Sequence, residues 1–355
     1  MKANNQLTQF QNMIDLSICI PSNRKLTDSQ GSIDSALNYI AQRNNSEVCV
    51  SDNSEDILKL NKYSNIESNK FNYRFNKGLK EAENWQNASL NSIGHYIGYL
   101  ADDDYIHSIG KPQVYEYDSK IVGYRPNFVV WEENKGIIKT TNFSIIEQNA
   151  KSRVEAYFSN CNGNNNTLYS FIKKNISLDI TSLCQLHPIK SGYYDWAIVL
   201  AYVSSGVLIE DNSTIYIYDN RNWAGSQEKI NQAVEGLFLK GGLDGRGQLF
   251  INLFLAIDSF VLIGRKSSPV DRVELFDASQ FAMFAYLNAF LKSFEKNKNF
   301  YFEAEKIAIE KLATANTIKD LFMEILNVIA VYNEKLIDGY IQFYNGSIEK
   351  KWGEF

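Results

Sequence analysis

Cysteine and histidine are scarce. Cys19, Cys49, Cys161 and Cys184 show no C-x-x-C spacing, and His95, His107 and His187 do not have metal-site spacing. This excludes a zinc cluster, a dithiol redox motif and a disulfide framework, and no histidine is assigned to chemistry. A long basic run is missing too, and the formal net charge of −5 argues against a general nucleic-acid binder. Glycine-rich phosphate loops are absent: Gly241-Gly242-Leu243-Asp244-Gly245-Arg246-Gly247 has neither G-x-G-x-x-G nor Walker spacing and reads as a hinge or loop, with Arg246 a weak candidate for a lid contact. Met1 to Gln11 lacks the apolar stretch of a signal peptide. The most apolar segment, Phe250 to Gly264, is interrupted by Asn252 and Asp258, so no bilayer span is expected. A reducing cytoplasm is the expected setting, with peripheral contact at the inner face of the cell membrane left open.

What the chain does have is length for a sizeable core in one or two domains, abundant Tyr and Phe, and a regular alternation of strands and helices. Leu16 to Ile20 reads as a strand ended by Pro21, followed by the loop Ser22-Asn23-Arg24. Ser32 to Gln42 carries Ile33, Ala36, Leu37 and Ile40 at helical spacing. Glu47 to Val50 is a second strand, running into the polar Ser51-Asp52-Asn53-Ser54-Glu55-Asp56. Strand, helix and strand in that order imply a parallel pair with a right-handed crossover. Cys19 and Cys49 fall inside these strands and read as small core residues. Phe71 to Phe75 is a third short strand, broken by Asn76-Lys77-Gly78, and Leu79 to Ser92 reads as a helix.

The chain is organised around Tyr96-Ile97-Gly98-Tyr99-Leu100-Ala101-Asp102-Asp103-Asp104, an apolar β-prone run that stops at three acids. Three carboxylates at a strand's end repel one another, and a cation held by oxygen ligands, Mg²⁺ or Mn²⁺, relieves that. Acids two apart on an extended segment point the same way, which pairs Asp102 with Asp104 on one ion. An acidic turn or cap is the plainer alternative. Polar clusters at three strand ends converge on one crevice in a doubly wound α/β sheet, where ligands bind.

The motifs Ser17-Ile18-Cys19-Ile20-Pro21-Ser22, Val50-Ser51-Asp52-Asn53-Ser54, Asn76-Lys77-Gly78 with Ala82 and Asn84, and Gly94 through Asp104 resemble the family 2 glycosyltransferases of GT-A fold, in the flavour of the abequosyltransferase-like branch. The resemblance covers roughly the first 105 residues. It implies a Rossmann-like nucleotide-sugar-binding domain in which Pro21, Ser22, Asn23, Arg24, Asp52, Asn76, Gly78, Asp102 and Asp103 line the donor site. It also implies that Asp52 accepts from a pyrimidine N–H, that Asp102 and Asp104 bind Mn²⁺ or Mg²⁺, and that Asp103 turns toward the donor sugar. The sequence departs from the family pattern in three places. Ala101 stands where many members have Asp, which leaves the register of the acids open by one residue. Glu83 replaces a common Arg, and the loop Pro21 to Arg24 lacks a common aromatic.

Farther on, Lys120 to Trp131 and Gly136 to Ile146 read as strands around a turn at Glu132 to Lys135. Gly192 permits a tight turn before Asp195, which opens a helix containing Ala197, Ile198, Leu200 and Ala201. Asp195 is either a helix-cap acid or, by the resemblance, the catalytic base. Glu210 and Asp211 are alternatives that read as a strand-end turn. Ile215 to Tyr218 is a strand, and Arg221 or Asn222 in the loop after it offers a contact to phosphate. From about Lys229 the pattern is helical. Phe322, Ile325, Ile329, Tyr332 and Leu336 form one apolar stripe that reads as core, and Lys350, Lys351 and Trp352 suggest an interfacial tail.

Residues 1–225 are therefore expected to form a GT-A domain and residues 226–355 a helical region. The expected activity is inverting, metal-dependent transfer of a sugar from a nucleoside-diphosphate sugar to an acceptor hydroxyl in bacterial surface polysaccharide synthesis. The acceptor would be a glycan or lipid-linked glycan, with no nucleic-acid partner and homodimerisation left open. The alternatives are an inactive nucleotide-sugar-binding protein and, less favoured, a nucleotidyltransferase.

Overall fold

The structure is a computed structural model that describes residues 14–190, 192–315 and 317–348. These group into two compact units. The first holds residues up to 146 together with 166–178 and 206–224. It is built on a nine-stranded mixed sheet.

The sheet starts as the sequence expects. β1 (Leu16–Ser22), α1 (Leu26–Ala41), β2 (Ser46–Asp52), α2 (Ile57–Tyr63), β3 (Phe71–Phe75), α3 (Glu81–Leu90) and β4 (Tyr96–Tyr99) follow in order. The strands lie β3-β2-β1-β4, all parallel. Every residue of β1, β2 and β4 is buried, as for parallel strands covered on both faces. Period-two alternation sorts the side chains. Ile18, Ile20, Val48 and Val50 pack with Ile33, Ala36 and Tyr39 of α1, while Cys19, Cys49, Ile97 and Tyr99 pack with Ala88 and Trp85 of α3. All four cysteines are free and buried, and burial pushes the Cys184 thiol up to about 12.

Beyond β4 the sheet turns mixed through β5 (Tyr105–Ser108), β6 (Ile121–Glu132), β7 (Gly136–Thr141), β8 (Phe171–Lys173) and β9 (Val207–Asp219). β8 runs antiparallel between β4 and β6, β6 and β9 are parallel, β5 closes the far edge on β9, and β7 lies on β6. Glu210 and Asp211 sit inside β9 rather than in a turn after a strand. Asp211 is fully buried and accepts from Tyr115 Oη at 2.8 Å and from Arg43, so it belongs to the core.

The second unit holds the described residues of 147–165, of 179–205 and from 225 onward. Two segments that precede residue 225 thus group with the C-terminal helices. The reason lies in α4 (Ala150–Asn160). Its buried Arg153 donates to the Val203 and Ser204 carbonyls at 2.8 and 2.7 Å, and its Ala150 N–H donates to Glu274 at 3.2 Å. The chain continues through α5 (Lys174–Cys184), α6 (Asp195–Ser205), α7 (Gln227–Lys240), α8 (Ile251–Ile263), α9 (Arg272–Asn297), α10 (Glu303–Lys311), α11 (Ile318–Asn333) and α12 (Ile337–Ser347).

Residues Gly245–Ile263 are long and apolar enough to cross a membrane by length and composition, yet 72% of that window is buried within the protein. Asp258 lies in this helix, fully buried; its Oδ1 is 2.9 Å from His187 Nε2 and its Oδ2 accepts from Tyr193 at 3.0 Å. A buried carboxylate with both oxygens engaged is a core feature. His187 is accordingly structural. Phe322, Ile325 and Ile329 of α11 are buried, as their stripe implies. Arg246 is held by Glu305 at 2.6 Å and stacks on Phe302, so its guanidinium is engaged here rather than in a lid contact. Lys350, Lys351 and Trp352 lie outside the described residues.

The pairing of β6 with β8 depends on Gly123. A Cβ there would sit 2.3 Å from the Phe171 carbonyl oxygen, which is backbone and cannot yield without parting the strands. Gly123→Ala is expected to lower unfolding stability by about 1–3 kcal/mol in urea titration; an unchanged midpoint would contradict this packing.

Candidate active site

The carboxyl tips of β1, β2 and β4 are joined by one hydrogen-bonded polar cluster within the first unit. Asp102 ties β4 to β1: its Oδ2 accepts from Ser22 Oγ at 2.7 Å and from the N–H groups of Asn23 and Arg24 at 3.0 Å each. Its Oδ1 accepts from Arg24 Nε at 3.0 Å, and the same guanidinium reaches Asp103 Oδ2 through Nη2 at 2.6 Å.

The acids do not run on as an extended segment. The Asp104 N–H donates to the Ala101 carbonyl at 3.0 Å, so residues 101–104 form a turn. Asp102 and Asp104 therefore do not point the same way, as they would on an extended segment. Asp102 points back to the β1 loop. Asp104 is 1% exposed and accepts from Tyr216 Oη at 2.7 Å and from the Asp219 N–H at 2.8 Å. Burial pushes the Asp104 carboxyl up to about 8, opposed by the Tyr216 hydroxyl, and it raises Asp103 as well, opposed by Arg24. Asp103 is the more exposed member of the Asp102–Asp103 pair, with 14% of its side chain accessible against 7% for Asp102.

Asp52 is placed differently from the expectation of a base-facing acceptor. It is completely buried, accepting from Lys59 Nζ at 3.1 Å, from the Ser54 N–H at 2.9 Å and from the Tyr73 hydroxyl. Both of its oxygens are used, so a nucleobase would have to displace a protein donor to reach it. Lys59, also fully buried, further donates to Ser22 Oγ and to the Arg24 carbonyl at 3.0 Å. Burial lowers its pKa, with Asp52 opposing. Pro21 is buried within β1 opposite Ser51, whereas Asn23 is exposed. Asn76 donates to Ser51 Oγ at 2.8 Å and to Asn87 at 2.9 Å, and Gly78 takes a positive φ of 86° in the turn behind it. Asn84 links Asn53 to this network at 3.1 Å.

The loop after β9 joins the same edge through Asp219. Arg221 pairs with Asp219 at 2.6 Å, and the charge of Asp103 also acts on Arg221. Lys59 and Tyr216 are the members that sequence reasoning missed. A lysine within a short helix and a tyrosine within a strand carry no motif, and only the fold brings them to the acids.

Among the described residues, no group of three or more His, Cys, Asp or Glu side chains could hold a metal ion. The donor set explains this. Asp102 and Asp104 already accept N–H and O–H donors, and Arg24 sits across Asp102 and Asp103. The residues as they stand do not fit Mn²⁺ or Mg²⁺.

Asp195 lies in the second unit and opens α6 after the turn at Gly192–Tyr194, as the sequence indicates. Its Oδ1 accepts from the Trp196 N–H at 2.8 Å, the local geometry of a helix start. Burial pushes its carboxyl up to about 7, opposed by the nearby Asn165 amide and by the Trp196 N–H. Asn165 itself accepts from Tyr157 Oη at 2.7 Å. A carboxyl titrating near neutrality can take up a proton in the physiological range.

No protein-family model matches the sequence, nor does any curated protein. Among solved structures the chain is similar to S. aureus TarS 1–349 at 13% identity and a TM-score of 0.40, with 93% of this chain and 90% of that chain covered. The same coverages hold for TarS 1–349 in complex with UDP-GlcNAc, at 11% identity and a TM-score of 0.41, and in complex with UDP, at 14% and 0.40.

Removing Lys59 tests how far the cluster depends on its buried cation. Lys59→Met leaves Asp52 charged and short of a donor, and is expected to cost about 3–5 kcal/mol in urea unfolding. Asp52→Asn combined with Lys59→Met should cost less than the sum of the two single changes. A loss below about 1 kcal/mol for the single variant would show that the pair is not what holds the strand tips.

Proposed function

We propose that the chain transfers a sugar from a nucleoside-diphosphate sugar to an acceptor hydroxyl. One observation carries this reading: the tips of three parallel strands and the β9 loop meet in a polar cluster at the carboxyl edge of an α/β sheet. That edge is the position where such sheets bind ligands. The exposed Asn23 side chain and the half-exposed Arg24 guanidinium supply donors suited to phosphate oxygens. Asp103 stands beside them and is assigned to the donor sugar. The family 2 resemblance supplies the finer expectations: a pyrimidine base, inversion at the anomeric carbon in one displacement, and an acceptor glycan of the bacterial surface. In that reaction Asp195 would accept the proton of the attacking hydroxyl, a role that suits its raised pKa. No step is routed through a divalent metal, since the donor set does not fit one.

The saturation of the acid turn favours a second reading, a nucleotide-sugar-binding protein without transfer activity. The nucleotidyltransferase reading has less support, because Pro21 to Arg24 is no glycine-rich phosphate loop.

Thermal unfolding with UDP, CDP, TDP, ADP and GDP tests the binding claim. One pyrimidine diphosphate is expected to raise Tm, the effect reaching about 2.7 kcal/mol at a hundred times its Kd; no shift with any nucleotide would defeat the proposal. Where binding is seen, release of the nucleotide from its sugar conjugate in the presence of acceptor should increase as pH rises through about 7, the range in which Asp195 loses its proton. Asp195→Asn should cut that rate by about 100-fold or more while leaving nucleotide binding intact. A flat pH profile with an unaffected variant would leave the non-transferring reading in place.

A further inference from the structure

Arg24 occupies an unusual position. Its backbone is pinned at both ends: its N–H donates to Asp102 Oδ2 at 3.0 Å, and its carbonyl accepts from the buried Lys59 ammonium at 3.0 Å. The loop cannot carry the side chain elsewhere without breaking those bonds. The guanidinium then spans the acid turn, with Nε on Asp102 Oδ1 at 3.0 Å and Nη2 on Asp103 Oδ2 at 2.6 Å. A planar fork held against two carboxylates is a stronger cation site than a mobile ammonium offers. Two other cations at this edge are also paired, Lys59 with Asp52 and Arg221 with Asp219. The side chain of Arg24 nonetheless stays 38% exposed, with Nε and Nη2 the nitrogens engaged on the two acids.

We propose that Arg24 is the resident cation of the acid turn, filling the place between Asp102 and Asp103 that a divalent ion would need, and that the chain binds a nucleoside diphosphate through this guanidinium without metal. The diphosphate part rests on the functional reading above. The guanidinium offsets part of the negative charge of the turn, which otherwise repels a diphosphate more strongly, and it offers N–H donors to phosphate oxygens. Because it is covalently attached and pre-positioned, chelators cannot remove it. A divalent ion and Arg24 compete for one pair of carboxylates, so removing one should admit the other.

The test compares the wild-type chain with Arg24→Gln and Arg24→Lys, each checked for folding by circular dichroism. Mn²⁺ alone is titrated and followed by the electron paramagnetic resonance of the free ion. UDP binding is measured by calorimetry in EDTA and in Mn²⁺. The wild-type should bind no Mn²⁺ in the range where Arg24→Gln does, and its UDP affinity should be the same in EDTA and Mn²⁺. Arg24→Gln should gain Mn²⁺ binding, lose about tenfold in UDP affinity in EDTA, and recover part of it with Mn²⁺. Arg24→Lys should fall between the two, since one ammonium does not span both acids. Equal Mn²⁺ binding by wild-type and Arg24→Gln, or wild-type UDP binding that requires Mn²⁺, would overturn the proposal. If neither protein binds UDP or any other nucleoside diphosphate under any condition, the functional reading and the diphosphate half of the proposal fail together, while the Mn²⁺ titration still decides whether Arg24 holds the cation position.

Discussion

Asp102 Oδ2 accepts from Ser22 Oγ, from the Asn23 N–H and from the Arg24 N–H. Three donors on one oxygen fold the end of β1 over the end of β4, and much else at this edge follows from it. With the loop turned back, the Arg24 side chain lies on the acid turn and the Arg24 carbonyl reaches Lys59. Lys59 in turn neutralises Asp52, so the second strand tip is tied to the first. Isolated charges at these burial levels would be costly, but each is paired and hydrogen-bonded, which is the condition under which a folded protein keeps them. The cluster is thus first of all a structural frame.

That frame changes the electrostatic reading of the aspartate triplet. Three adjacent carboxylates invite a metal only if they stand together and charged. Here the turn sends them three ways: Asp102 into the β1 loop, Asp103 against Arg24, and Asp104 into a buried position beside Tyr216 where its pKa rises to about 8. Repulsion is relieved by separation, by a guanidinium and by protonation, so the triplet needs no external ion to be stable.

The fold was largely legible, because period-two apolar runs and helical spacing report burial directly. The first four strands, the crossover helices and the helical C-terminal part all appear. The site was legible as a location and less so as chemistry. Convergence of Pro21 to Arg24, Asp52 and the triplet follows from strand order, which the sequence pattern carries. Which way each carboxylate points depends on a single turn hydrogen bond from Asp104 to Ala101 and on partners far along the chain, such as Tyr216, more than a hundred residues away. Lys59 shows the same limit, since nothing in Ile57 to Tyr63 marks a fully buried ammonium. Asp195 at the start of α6 was readable because a turn glycine and an apolar helix frame it. Its raised pKa comes from the burial around it, a tertiary property.

Hydrogen exchange across the strand tips addresses the central claim most directly, namely that the carboxyl ends of β1, β2 and β4 form one ligand-binding edge. On adding the nucleoside diphosphate that raises Tm most, the amides of Asn23, Arg24, Asn53 and residues 101–104 should slow together, while those at the opposite ends of the same strands, around Leu16, Ser46 and Tyr96, stay unchanged. Protection confined to the opposite ends, or to the second unit alone, would contradict the account.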